Sequence, residues 1–178
     1  SEALSREPSN PLPLVEMGKS YLTLGDRMKS SGVSKDLVQK IYQLAEEELI
    51  KALNLKADYA PIHFYLGLVY ERQGREADAV LKLEAVERFN PSDVGVAYEL
   101  GLLYLKRGNL AKAESEFRRA TGLLPSYSDA RWQLANVLMR QGQPTEAIEE
   151  LKKILQYNPQ NQNVIKAIEE IKLGRSKL

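Results

Sequence analysis

The residues that could carry out chemistry are few and isolated. The sequence has one histidine, His63, and no cysteine, so it cannot form a histidine cluster or a thiolate site. The motifs of phosphate-binding loops, serine hydrolases and zinc proteases do not occur. Glu146, Glu149 and Glu150 are close in sequence, but on one helix a solvated acidic face is the expected interpretation. We therefore predict a non-enzymatic protein with a half-exposed His63, no metal site and no cofactor.

Charge and hydropathy exclude two classes of partner. The 178 residues include 25 basic and 24 acidic ones, a formal net charge of +1, which provides no global attraction to nucleic acid or to an anionic membrane. No apolar run approaches the roughly 20 residues of a membrane-spanning helix, and no signal peptide is recognisable. We expect a soluble segment without direct membrane insertion, in either the cytoplasm or the periplasm. The start at Ser1-Glu2-Ala3 suggests a processed or excised chain, for which attachment to a membrane-embedded parent is one option.

Three residue types recur at one spacing of 34 residues, which indicates a tandem repeat. The recurring residues are Gly74, Gly108 and Gly142, then Pro91, Pro125 and Pro159, then Ala79, Ala113 and Ala147. A glycine between two apolar segments ends one helix, so each repeat should be an antiparallel helix pair. The predicted pairs are 60–72 with 76–89, 94–106 with 110–123, and 128–140 with 144–157. An amphipathic helix from Gln162 to Leu173 should cap the last pair.

Glycines inside the first helices indicate close helix contacts. A helical glycine costs about 1 kcal/mol relative to alanine, so Gly67 and Gly101 need a compensating gain from packing. We expect them to face the small residues Ala79 and Ala113 on the second helices, with Leu83 beside them.

The repeats resemble the tetratricopeptide repeat. That family places a large apolar residue at repeat position 7, a small one at 8, an aromatic at 11, small residues at 20 and 27 and proline at 32. The residues at those positions here are Leu66-Gly67, Leu100-Gly101 and Leu134-Ala135, then Tyr70, Tyr104 and Leu138, then Ala79, Ala113 and Ala147, then Val86, Ala120 and Ile154. Leu138 departs from the pattern, because it replaces an aromatic residue. Position 4, often tryptophan, holds His63, Ala97 and Arg131, which suggests loosely packed first turns. The resemblance implies an all-α fold: an α-solenoid of antiparallel helix pairs in a superhelix, with four repeats and a C-terminal capping helix.

The first repeat is longer than the others. Met17-Gly18, Tyr21, Ala45 and Ala52 are in register, but 15 residues are inserted between the two halves. The simplest geometry extends both helices by about two turns, with a tip at Ser30 to Ser34 and Ser34 capping the second helix. Of two interpretations, we favour a flexible surface insertion over a projecting hairpin that contacts a neighbour. The predicted organisation within one domain is a lead-in at 1–10, the extended repeat at 11–59, regular repeats at 60–93, 94–127 and 128–161, and the cap and tail at 162–178.

The family resemblance also implies a binding surface. In tetratricopeptide arrays the first helix of each repeat lines a concave groove, and repeat positions 5, 9 and 13 point into it. Those positions hold Phe64, Tyr98 and Trp132, then Leu68, Leu102 and Asn136, then Arg72, Lys106 and Arg140. Aromatic residues beside basic ones suit an extended or helical peptide with apolar anchors and acidic flanks. Alternatively, the aromatic rings pack between neighbouring helices. The carboxylate clamp of chaperone-binding relatives has lysine and asparagine at positions 5 and 9, so we do not expect that clamp here.

These patterns predict a protein–protein interaction scaffold that binds a protein or peptide ligand. One alternative is a self-associating module, in which the first hairpin or an uncovered end joins copies into a homo-oligomer. A second alternative is an accessory domain of a larger bacterial membrane protein. It rests on the long first repeat, the lead-in EPSNPLP and the ending NPQNQNVIKAIEEIK. Together these resemble the C-terminal repeat arrays of membrane glycan polymerases of the O-antigen ligase type.

Overall fold

The structure is a computed structural model that describes residues 10–175. Within this range the secondary structure consists of nine α-helices, which confirms the predicted all-α fold. The helices are α1 (Leu12–Ser30), α2 (Lys35–Leu55), α3 (Ala60–Arg72), α4 (Glu76–Phe89), α5 (Val94–Lys106), α6 (Leu110–Leu123), α7 (Ser128–Arg140), α8 (Pro144–Tyr157) and α9 (Gln162–Lys172). Helices α3 to α8 begin and end at the residues that the repeat predicts.

The helices form two compact units, whose boundary in the sequence lies between Phe89 and Asn90. The N-terminal unit contains α1 to α4, and the C-terminal unit contains α5 to α9. In each unit, consecutive helices pack as pairs: α1 with α2, α3 with α4, α5 with α6, and α7 with α8. The last helix, α9, packs on α8 and buries the apolar residues Val164, Ala167, Ile168 and Ile171.

The turns inside the regular pairs depend on glycine. Gly74, Gly108 and Gly142 have φ values of 80°, 74° and 77°, in the left-handed region that disfavours other residues. The amide that follows each glycine donates to a carbonyl of the last helical turn, as from Arg75 to Tyr70 at 2.8 Å. This arrangement satisfies the free carbonyls at the helix end and reverses the chain.

Glycines also allow the paired helices to approach closely. A Cβ on Gly67 would lie 2.9 Å from the Leu83 side chain and 3.4 Å from the Ala79 carbonyl oxygen, so Gly67 faces Ala79 with Leu83 beside it, as predicted. A Cβ on Gly101 would lie 2.6 Å from Phe117, a large side chain that the prediction did not include. The glycines therefore make room for large side chains of the second helix, which increases the apolar burial.

The first pair contains the predicted extension. Helix α1 has 19 residues where α3 has 13, and α2 has 21 where α4 has 14, which is about two turns each. Gly25, Val38 and Tyr42 are buried between the extended parts, so the favoured interpretation of a flexible insertion is wrong. Ser34 occupies the N-cap position of α2, but its side chain accepts no capping hydrogen bond.

Two polar predictions are wrong in the C-terminal unit. Glu150 is only 7% exposed, although the sequence suggested a solvated acidic face, and Arg131 is 8% exposed. Arg131 Nη1 donates to Glu150 Oε2 at 2.7 Å, and Arg131 Nε donates to the Pro125 carbonyl at 2.8 Å. Position 4 of this repeat is therefore filled by a buried ion pair and is not loosely packed.

Candidate functional site

The predicted groove residues lie on the first helices of the three regular repeats. Each helix contributes three residues four positions apart, a spacing that places them on one face. Phe64, Leu68 and Arg72 lie on α3 in the N-terminal unit, and the other six lie on α5 and α7 in the C-terminal unit. The nine residues thus form two separate sets.

On α3 the basic member of the set is already bound within the protein. Arg72 Nε donates to Asp26 Oδ1 at 2.9 Å, and Arg72 also pairs with Glu71. Asp26 belongs to the extended part of α1 and accepts a second hydrogen bond from the Tyr42 hydroxyl at 2.8 Å. The extended hairpin thus contacts α3 of the neighbouring repeat, and Arg72 is a structural link and not a free cation.

The charge states of this network follow from its surroundings. Burial opposes the charge on Arg72, but the hydrogen bond to Asp26 and the negative charge of Glu71 outweigh it and raise the pKa of Arg72. For Tyr42, in contrast, burial raises the pKa, and the hydrogen bond to Asp26 adds to that effect. The guanidinium therefore stays charged, and the phenol keeps the proton that it donates. Beside this network, Phe64 and Leu68 are partly buried, and the Phe64 ring packs edge-on against Tyr65 at 5.4 Å.

On α5 the aromatic residue contacts other aromatic residues. The ring centroid of Tyr98 lies 5.0 Å from that of Tyr127 and 6.0 Å from that of Phe117. Tyr98 also packs against a buried cluster of alanines, Ala97, Ala120 and Ala130. Burial raises the pKa of Tyr98, and it raises the pKa of Tyr127 to about 12. The Tyr98 ring therefore mainly packs against other side chains of the unit, which corresponds to the alternative interpretation of the aromatic residues at position 5.

On α7 the aromatic residue borders open space. Trp132 is partly exposed and lines a cleft of about 280 Å³. The other lining residues come from the start of α7, from α8 and from the start of α9: Ser128, Asp129, Ile154, Asn161, Asn163 and Val164. Ile154 and Val164 are buried apolar residues, so the floor of the cleft is apolar and its rim is polar. Such a cleft can accept one apolar side chain.

The remaining predicted residues lie on the same helix faces of α5 and α7. Leu102 and Asn136 are partly buried, whereas Lys106 and Arg140 are exposed in the last turns of α5 and α7. Arg140 follows Trp132 by eight residues, which is about 12 Å along a helix. In the C-terminal unit the structure therefore supplies an apolar cleft at Trp132 and, about two turns further along α7, the exposed cation Arg140.

Two residues that matter at these positions could not be identified from the repeat pattern. Asp26 holds Arg72, and Tyr127 covers Tyr98. An acidic residue in the insertion and an aromatic residue just before α7 were the available signals. Neither lies at a repeat position that the family pattern marks.

Metal-ligating side chains do not cluster in the part of the chain that the structure describes. Between residues 10 and 175, no group of three or more histidine, aspartate or glutamate side chains could hold a metal ion. His63 Nε2 lies 2.7 Å from the Ala57 carbonyl oxygen, which fixes the ring at the start of α3. None of the helices described has both the length and the apolar composition needed to cross a membrane.

Antiparallel helix pairs at a fixed repeat define a helical-repeat fold. Two sequence models of the tetratricopeptide repeat match the chain, one at residues 40–94 and one at residues 104–171. The chain therefore carries tetratricopeptide repeats, a fold consistent with protein–protein interaction. No curated protein sequence matches it.

Solved structures with a similar fold cover most of the chain. MamA from Desulfovibrio magneticus RS-1, from residue 41 to its end, is 25% identical with a TM-score of 0.71, over 86% of this chain and 78% of that one. YrrB, a TPR protein with an unusual peptide-binding site, is 18% identical with a TM-score of 0.67, over 96% and 86%. A thermophilic TPR protein from Thermus thermophilus, TTC0263, is 22% identical with a TM-score of 0.65, over 96% and 85%. At these identities the similarity concerns the fold.

Proposed function

We propose that the protein is a non-catalytic scaffold that binds a peptide segment of another protein through the surface of its C-terminal unit. The peptide inserts an apolar side chain into the cleft beside Trp132 and places an acidic residue near Arg140. The observation that carries this proposal is the cleft of about 280 Å³, because it is an apolar cavity lined by a partly exposed tryptophan. Tryptophan and arginine are the residues that most often dominate binding energy at interfaces.

Other observations limit which predicted residues take part. Arg72 is bound to Asp26, and Tyr98 packs against Tyr127, so neither is a primary contact in this proposal. The related fold of YrrB, which has a peptide-binding site, supports a peptide as the ligand class.

Binding can be measured with short synthetic peptides labelled with a fluorophore. An extended peptide covers about 12 Å in roughly four residues, so the test peptides carry a leucine and a glutamate at that separation. Trp132 is the only tryptophan of the chain, so its fluorescence reports occupancy of the cleft. We expect Trp132→Ala to weaken binding about tenfold or more, measured by anisotropy of the labelled peptide.

A charge reversal tests the second contact. Arg140→Glu should weaken binding of the glutamate peptide about tenfold and leave a glutamine version of the peptide nearly unaffected. Arg88→Glu is the matched control, because Arg88 is also exposed in the last turn of its helix. Equal losses for Arg88→Glu and Arg140→Glu, or full binding by Trp132→Ala, would exclude this site.

A second proposal concerns the protein to which the repeats belong. The lead-in, the long first repeat and the ending resemble repeat arrays of bacterial membrane glycan polymerases, which supports an accessory role in a larger membrane protein. Most of the lead-in, residues 1–9, lies outside the described residues. The complete gene sequence decides this: several apolar spans upstream of Ser1 would support the proposal, and an upstream region without them would refute it.

A further inference from the structure

The first hairpin has an apolar face that no helix of the described chain covers. Residues three or four apart share one side of a helix. On α1 such a stripe runs through Leu14, Met17, Tyr21, Leu24 and Met28, and on α2 through Leu37, Ile41 and Leu44. We call these eight residues the apolar face of the first hairpin. Met17, Leu24, Leu37 and Leu44 are 38–45% exposed.

The apolar face lies away from α3. Asp26 bonds to Arg72, and Glu46 bonds to Gln73 and Arg75, so these two acidic residues mark the side of the hairpin that packs on α3. Asp26 follows Leu24 by two residues and Glu46 follows Leu44 by two. Two residues correspond to about 200° around a helix, so both stripes point to the opposite side.

Equivalent positions in two of the other repeats are covered by a preceding helix. Helix α2 packs on α3, where Leu66 and Tyr70 are 0% and 7% exposed, and α6 packs on α7, where Leu134 and Leu138 are 1% and 0% exposed. Met17 and Tyr21 occupy the same two repeat positions on α1. Within residues 10–175 the apolar face is therefore a repeat-stacking surface without a partner, equivalent to the interface that holds the repeats together.

We propose that this face binds the same face of a second copy of the chain, and that the protein forms a two-fold symmetric dimer. The eight residues carry no charge, and the nearby pair Glu48 and Lys51 neutralises itself at 2.7 Å. An apolar surface is therefore the expected binding partner, and the same face on a second copy of the chain is such a surface. The net charge of +1 gives two copies almost no mutual repulsion.

A head-to-tail contact is disfavoured by the last helix. On α9 the apolar residues Val164, Ala167, Ile168 and Ile171 are buried on α8, and Lys166, Glu169 and Lys172 are exposed. An apolar face placed on these charges would desolvate them without compensation. A closed two-fold contact avoids this cost, because the same patch is used by both subunits.

The size of the face sets the strength of the dimer. From Leu14 to Met28 the stripe is about 21 Å long at 1.5 Å per residue, and two helices are about 20 Å wide. The projected area is on the order of 400 Å² per copy, at the small end of specific interfaces. The expected dimer is therefore weak, with a dissociation constant in the micromolar range. It is driven by apolar burial, so 1 M salt should not dissociate it.

Sedimentation velocity on the full chain, from about 1 µM to about 500 µM, measures the assembly across the micromolar range. The mass should rise from 20.1 kDa to twice that value. Met17→Glu with Leu24→Glu should leave a monomer at every concentration. The matched control is Leu81→Glu with Phe89→Glu, because these residues are 63% and 62% exposed on α4, and it should still dimerise. Circular dichroism checks that both double variants are folded.

Cross-linking distinguishes the symmetry of the contact. The chain has no cysteine, so one introduced thiol is unique. With a short bis-maleimide, Leu24→Cys should form a covalent dimer, and Lys166→Cys on α9 should not. A cross-link between the two variants when mixed would indicate head-to-tail stacking and overturn the proposal. A monomer at all concentrations would also overturn it. These outcomes are independent of peptide binding at Trp132.

Discussion

Arg131 and Glu150 form an ion pair that is shielded from water between α7 and α8. Each side chain is 9% exposed, their atoms approach to 2.7 Å, and Lys153 donates to the second Glu150 oxygen at 2.6 Å. Desolvation of two charges largely offsets their attraction, so the pair contributes little compared with a well-packed apolar replacement. Removing one partner has a much larger effect, because the other charge remains buried without compensation.

We expect Glu150→Ala to lower the free energy of unfolding by about 3–5 kcal/mol, measured by urea denaturation. Replacing both residues, Arg131→Met with Glu150→Leu, should recover most of that loss, because no buried charge remains. Glu149→Ala on the same helix is the control, since Glu149 is exposed and pairs with the exposed Lys152; it should have almost no effect. A small loss for Glu150→Ala would mean that water reaches Arg131.

At the residue scale, the sequence predicted the helix on which a residue lies better than the side chain that it contacts. The register of the repeat placed the nine groove residues on first helices, where the structure has them, but it could not indicate that Asp26 binds Arg72. These two residues are 46 positions apart, and their contact depends on how the extended hairpin packs on α3. Glu150 was misjudged for the same reason, because its partner is on another helix. Helical periodicity describes one helix at a time, and ion pairs between helices are outside its scope.

At the scale of elements, the extended hairpin is held together by a close contact between Gly25 and Tyr42. A Cβ on Gly25 would lie 2.4 Å from Cε1 of Tyr42, and Tyr42 is 1% exposed. The ring cannot move away easily, because its hydroxyl is bonded to Asp26 at 2.8 Å. The length of this hairpin could be predicted from the register of the repeat. The packing of the extended hairpin could not be predicted, because the contact of Gly25 with Tyr42 links residues that the family pattern does not describe.

The contact predicts opposite effects for two similar substitutions. Gly25→Ala should lower the free energy of unfolding, because overpacking costs about 1–3 kcal/mol and exceeds the helix gain of about 1 kcal/mol. Gly122→Ala in α6 should raise it by up to about 1 kcal/mol, since nothing lies within 4 Å of the added Cβ. Urea denaturation of both variants gives the comparison. A stabilised Gly25→Ala variant would show that α1 and α2 can separate without loss.

At the scale of the whole molecule, the chain divides into two units that each contain complete helix pairs. The boundary between Phe89 and Asn90 falls where one repeat ends and the next begins. In repeat proteins stability is approximately a sum of repeat and interface terms, so part of the array can fold alone if its ends are covered. The C-terminal unit meets this condition at one end, because α9 covers α8.

We therefore expect a fragment of residues 90–178 to be helical and to unfold cooperatively on its own. Its core includes Phe117, Leu134 and Leu151, all at most 1% exposed. Because the denaturant m-value scales with the surface exposed on unfolding, the fragment should have about half the m-value of the full chain. Circular dichroism with urea tests both points, and an Ile168→Asp version should unfold, since Ile168 is one of the residues that α9 buries. If residues 90–178 are unfolded without the substitution, the two units depend on each other for stability, and binding at Trp132 requires the complete chain.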